Sequence, residues 1–244
     1  TDTDTDTDTD TDTDGDTAAI SGTVRYVDGS AGTGVQMRLC QSLCRTTWIG
    51  EDGSFEFTEV ESGAHALEAV VMGKQEAYAT PLAPVILEQD VSRVLDAEMI
   101  VPEFATIESF SGVASIAADA GLVVSVDESG FTSSANSPSS SVYLASVWAD
   151  PSTAGLPMDE ISGTVVGMWY QGNFDSYVDP VWSFSVDNAD LGMVSEEQLE
   201  VYVADYEHQE WKSGGTATVD ADGVLHTDEG SGISLLTTLL IVRP

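Results

Sequence analysis

A period of two runs through this chain. From residue 18 to residue 102 apolar and polar side chains alternate, and turn residues recur every eight to twelve positions. In an extended backbone successive side chains point to opposite faces, so an alternating segment can bury one face and wet the other. "ISGTVRYV" puts Ile20, Val24 and Tyr26 on one side, and "VQMRL" does the same with Val35, Met37 and Leu39. "EDGSFEF" reads as an Asp52-Gly53 turn followed by inward Phe55 and Phe57. "SGAHALEAVVM" starts at a glycine turn and runs inward as His65, Leu67, Ala69 and Val71. Helical spacing is nearly absent, so stacked short strands are expected.

"MIVPEFATIESF" reads as a junction, because Pro102 cannot donate to a strand ladder and the pattern restarts at Ile107. Residues 130–141 and 149–160 are expected as surface loops. Beyond them Trp182, Phe184 and Val186 share a face, as do Leu199, Val201 and Val203. "QEWKSGGTATVDADGVLHT" reads as strand, Gly214-Gly215 turn, strand, Asp222-Gly223 turn, strand. "ISLLTTLLIV" is about half the roughly 20 residues a membrane helix needs. It is expected as one buried final strand, with no membrane span. The expected organisation is an arm over residues 1–17, one β-sandwich over 18–102 and a second over 103–244.

Both folded segments resemble known families. Ile20-Ser21-Gly22-Thr23-Val24, Gly34-Val35 with Leu39, Asp52 to Phe57, and Gly63-Ala64-His65-Ala66-Leu67 resemble a carboxypeptidase-regulatory-like, transthyretin-like domain. His65 stands where an aromatic is more usual. This resemblance implies a small sandwich used as a stalk or accessory module, with His65 packed in a strand rather than acting as a ligand. The second half is similar to a sandwich module of large bacterial surface proteins. Phe174, Pro180, Asn188, Leu191, Trp211, Gly215, Val219, Asp222, Gly223, Gly230, Gly232 and Ile233 carry that likeness, and Asp187 replaces a usual proline. It implies a larger Ig-like or adhesin-like sandwich, extracellular and without an active site. The expected fold class is therefore all-β, two sandwiches behind an extended low-complexity arm.

Charge narrows the partners. Among 244 residues, 42 Asp and Glu face 7 Lys and Arg, a formal charge of −35. Such a surface repels nucleic acid and anionic lipid and favours cations. Cys40 and Cys44 are the only cysteines, too few for a Cys₄ zinc site, and His65, His208 and His226 are scattered. A pair flanking "QSL" fits the ends of a tight hairpin. A disulfide there would contribute about 2 kcal/mol by loop entropy and would indicate an oxidising location. Two free thiols in a cytosolic protein are the alternative. Nucleophile-elbow, zincin, P-loop and dinucleotide signatures are absent. No enzyme is expected, since nothing singles out a pair among so many carboxylates. Trp48, Trp148, Trp169, Trp182 and Trp211 could form a sugar platform, although sandwich core is the commoner use.

The arm alternates Thr and Asp for fourteen residues. Extended, it puts Thr1, Thr3, Thr5, Thr7, Thr9, Thr11 and Thr13 on one side, as candidate O-glycosylation sites. Asp10, Asp12, Asp14 and Asp16 around Gly15 match the front of a Ca²⁺ loop. Ser21 occupies the twelfth position where a bidentate Glu belongs, so an EF-hand is rejected and only loose or shared Ca²⁺ remains. No other cofactor is expected. The arm could reach roughly 50 Å and pair along a neighbour's sheet edge, or serve as a tether below a lipid anchor upstream of residue 1. The chain opens in mid-repeat and is expected to be a trimmed, exported form. These signs favour a non-enzymatic, extracellular or cell-surface structural protein that self-associates into a filament or layer. The alternative is a surface lipoprotein or adhesin whose sandwiches bind glycans or a protein partner. An accessory domain pair of a hydrolase is a third class.

Overall fold

A computed structural model describes residues 17–133, 142–172, 176–187 and 189–244. The candidate sites Thr1 to Thr13 and Asp10, Asp12, Asp14 and Asp16 lie outside those residues, as do Phe174 and Asn188.

Strands β1 (Thr17–Tyr26), β2 (Val35–Cys40), β3 (Cys44–Trp48) and β4 (Ser54–Glu61) come first. Next are β5 (Gly63–Val71), β6 (Leu82–Leu87), β7 (Ser92–Val94) and β8 (Met99–Val101). The chain continues with β9 (Thr106–Ser109), β10 (Val113–Ala117), β11 (Leu122–Asp127), β12 (Phe131–Thr132) and β13 (Tyr143–Trp148). It then forms β14 (Thr164–Gln171), β15 (Tyr177–Trp182), β16 (Phe184–Val186) and β17 (Gln198–Asp205). Last are β18 (Glu210–Val219), β19 (Leu225–Thr227), β20 (Ile233–Leu235) and β21 (Thr238–Arg243). Among the described residues the helical pieces are three short 3₁₀ turns, so the all-β expectation holds.

The first eight strands form two sheets, β4-β1-β7 with β8 also on β1, and β3-β2-β5-β6. The rest form a ten-stranded sheet, β10-β11-β16-β19-β18-β17-β21-β14-β13-β9, and a small one, β12-β15-β20. Val35, Met37 and Leu39 face the first core, and Phe55 and Phe57 join them from β4. Leu199, Val201 and Val203 face the second, with Trp182 and Phe184.

The two cores share a wall. On β14, Met168 and Tyr170 belong to the first core while Trp169 belongs to the second. On β21, Leu240 and Val242 face one core, and Leu239 and Ile241 the other. A strand buried on both faces reads as a continuous apolar run rather than an alternating one. That explains "TLLIV" at the C-terminal end.

Four local expectations need correction. "ISLLTTLLIV" is two strands, β20 and β21, in different sheets. The break falls at Leu236-Thr237, where the Thr237 hydroxyl donates to Ala204 O at 2.7 Å. Trp182 and Phe184 likewise lie in different sheets, although both face the second core. Gly214-Gly215 is a bulge within β18, not a turn: Val201 pairs with Gly215 and Tyr202 with Ser213, which leaves Gly214 over. Glycine is required there because Gly215 has φ +87° and an added Cβ would lie 2.1 Å from Ser231 Oγ. The approaching segment is held by Gly232 N–H donating to Gly214 O at 2.8 Å. Residues 149–160 are also more than a surface excursion, since Ala154 and Leu156 are buried in the first core. Ile100 N–H donates to Ala154 O at 3.0 Å and ties this loop to β8.

Candidate functional site

Pro102 ends β8 and directs the chain across residues 77–79. Ala79 N–H donates to Pro102 O, and Phe104 N–H donates to Ala77 O, both at 2.9 Å. This short crossing places Tyr78 beside Glu103. Tyr26, the last residue of β1, brings its ring to 5.5 Å from that of Tyr78, tilted by 58°. The turn after β1 carries Asp28, whose Oδ1 accepts from Ser30 N–H and Ser30 Oγ–H. Val147 and Trp148, from the end of β13, close the far side.

The result is a cleft of about 580 Å³ where the first two sheets meet the ten-stranded one. Tyr26, Val27, Asp28, Tyr78, Val101, Pro102, Glu103, Val147 and Trp148 line it, with no Lys, Arg or His among them. Its rings are anchored. Tyr26 O–H donates to Thr33 O at 3.0 Å. Tyr78 bonds the Glu103 carboxylate, and that bond, with burial, raises the phenol above its ordinary pKa. The Lys74 ammonium lies 5.7 Å from the Tyr78 ring centre. The Ser30 hydroxyl and N–H hold Asp28 below the usual carboxylate range, so it is ionised at neutral pH. A recess of about 190 Å³ adjoins the cleft and shares Val27, Pro102 and Trp148 with it. Tyr170 lines the recess, and its fully buried hydroxyl has no hydrogen-bond partner among the described residues. The Trp148 indole N–H also lacks one. Burial alone drives the Tyr170 phenol far upward, so it stays protonated.

Cys40 and Cys44 form a disulfide across the β2–β3 hairpin, where they are cross-strand partners. Leu43 stands exposed at its tip. His65 is buried in β5 with Nε2 2.7 Å from Glu61 O, which is the packed role implied by the resemblance. His208 and His226 each meet a local carboxylate, Asp205 and Asp220. The Asp205 bond raises His208. Trp169, Trp182 and Trp211 are core residues and Trp148 is half-buried, whereas Trp48 is 58% exposed on edge strand β3. Among the described residues no group of three or more His, Cys, Asp or Glu could hold a metal. Alternation along β1 marks Tyr26 as a strand-face residue, whereas no periodicity marks Tyr78 or Glu103. The available signal was an aromatic residue inside the polar turn "GKQEAYAT".

No family model matches the chain, and no curated protein matches it. Several solved structures superpose loosely. A putative carbohydrate binding protein from Bacteroides uniformis is 8% identical, with TM-score 0.28, over 94% of this chain and 80% of that one. A DUF3823 family protein from Parabacteroides merdae is 11% identical, with TM-score 0.26, over 94% of this chain and 100% of that one. The major pilin SpaD from Corynebacterium diphtheriae is 12% identical, with TM-score 0.26, over 94% of this chain and 58% of that one.

Proposed function

We propose that this chain is a non-enzymatic protein of the cell exterior that binds a saccharide in the cleft at its seam. The observation that carries this reading is the lining itself: two anchored tyrosines and two rim carboxylates. Aromatic faces stack on the apolar faces of sugar rings, and carboxylates accept from sugar hydroxyls. The hairpin disulfide supports an oxidising location. In this reading residues 18–102 are a transthyretin-like module and 103–244 a larger adhesin-like one, with the cleft at their joint. A glycan array of the full chain tests it. Binding to a defined glycan set is expected, with loss of that binding in Tyr78→Ala while the circular dichroism spectrum is kept. An array without signal, or signal unchanged in the variant, sinks the reading.

The second reading is a structural subunit joined through the arm. Exposed sheet edges favour it: β3 and β10 each end a sheet and are exposed along most of their length. The arm, residues 1–16, directly precedes β1. Sugars on its threonines and Ca²⁺ on its aspartates would reduce its self-repulsion. Electron micrographs of full-length and arm-deleted protein test this, and fibres that survive deletion of residues 1–16 would rule it out.

A further inference from the structure

We propose that the cleft selects a cationic saccharide, one bearing free ammonium groups, over neutral or acidic ones. The inference rests on the saccharide reading and specifies its ligand. Its basis is a charge imbalance at one place. The cleft holds the carboxylates of Asp28 and Glu103 and no cationic side chain, and the recess adds Asp150.

The chain's own cations are committed elsewhere. Arg25 pairs with Glu98, Arg38 with buried Glu68, and Arg93 with Asp159. Lys212 reaches Asp205, and Arg243 pairs with Glu197. Arg45 donates to the carbonyls of Thr58 and Glu59. Lys74 is over the Tyr78 ring and does not line the cleft.

The rings add the second half of an ammonium site. A tyrosine face carries negative quadrupolar charge and attracts a cation, and Tyr78 already draws Lys74 in this way. Tyr26 and Tyr78 are held by their hydroxyls, so their faces are oriented before a ligand arrives. The field of a chain with formal charge −35 concentrates cations at its surface and repels uronates and sulfated sugars. A cationic ring therefore meets carboxylate and aromatic face within one cleft.

The test titrates the full chain with a β-1,4-linked glucosamine tetramer, its fully N-acetylated counterpart and a uronic acid tetramer, at mildly acidic pH and low salt. The glucosamine tetramer is expected to bind at least about tenfold tighter than the acetylated one, and its affinity should fall as salt rises. Asp28→Asn with Glu103→Gln should weaken binding of the glucosamine tetramer more than that of the acetylated one, so that the ratio of the two affinities falls toward one. Equal or tighter binding of the acetylated or acidic tetramer overturns the charge selection and leaves the saccharide reading standing. A preference that persists in the double variant also overturns it. Absence of binding by all three defeats both.

Discussion

Thr238 and Leu82, 156 residues apart in sequence, are joined by two hydrogen bonds through one hydroxyl. Thr238 Oγ–H donates to Leu82 O at 2.7 Å, and the same oxygen accepts from Leu82 N–H at 3.2 Å. Both residues are fully buried. Leu82 opens β6, an edge of the second sheet, so its backbone groups on that side have no ladder to join. A threonine on the shared wall takes the place of a neighbouring strand. Thr238→Val keeps the shape and strands both groups. It should cost about 1–3 kcal/mol, read as a lower urea midpoint with an unchanged slope. Thr238→Ser should retain most of the stability, and a valine variant as stable as the parent would show that the hydroxyl does not secure the joint.

The β18 bulge gives a paired comparison between two glycines of equal φ. Gly215 and Gly223 both have φ +87°, yet a Cβ at Gly215 would meet Ser231 Oγ at 2.1 Å while one at Gly223 meets nothing within 4 Å. Gly223→Ala should therefore show backbone strain alone, about 1 kcal/mol. Gly215→Ala should cost more, because Ser231 Oγ, which the new methyl would displace, also accepts from Thr216 N–H at 3.0 Å. Equal losses in the two variants would mean that the close approach of residues 228–232 is not rigid.

What could be read from sequence was what is local. Alternation at Val35, Met37 and Leu39, or at Leu199, Val201 and Val203, is a property of one strand, and the burial agrees. Sheet switching at Ser183 and at Leu236-Thr237 left no such mark, because both segments are apolar on either side of the break. The Gly-Gly bulge looks like a turn until the chain near Ser231 comes against it. Residues 149–160 look solvated because Leu156 and Ala154 are few among polar neighbours, and only contact with β8 buries them. The cleft depends on Tyr26, Tyr78, Glu103 and Trp148 meeting across long separations, which alternation cannot encode.

Aspartate-x-serine turns tie stability to pH. Asp52 Oδ1 accepts from Ser54 N–H at 3.0 Å and from Ser54 Oγ–H at 2.6 Å, and the Ser54 hydroxyl is the main cause of its lowered pKa. Asp28, Asp127 and Asp150 repeat the device with Ser30, Ser129 and Ser152. A carboxyl depressed on folding stabilises the folded state above its ordinary pKa, and that contribution is lost as pH falls through the depressed value. Ser54→Ala should thus be less stable than the parent at neutral pH, and the gap should narrow below the ordinary carboxylate range. Relief of overall charge repulsion on acidification acts on both proteins alike and cancels in the difference. Urea midpoints of the pair at neutral and strongly acidic pH provide the check, and a gap independent of pH would refute the linkage.

The hairpin disulfide closes a loop of only five residues, 40 to 44. Loop entropy for so short a ring gives about 2 kcal/mol. Cys40 is buried in the first core while Cys44 is exposed, so the bridge fastens edge strand β3 to a strand that is already secured. Arg45 provides a second fastening, since it donates to the carbonyls of Thr58 and Glu59 on β4. Changing both cysteines to serine should then lower stability by about 2 kcal/mol without loosening the whole body. Hydrogen exchange should quicken at β3 ahead of β5, because local opening starts where fewest buried contacts hold the backbone. Uniform acceleration across β2, β3 and β5 would instead mean that the bridge secures the entire second sheet.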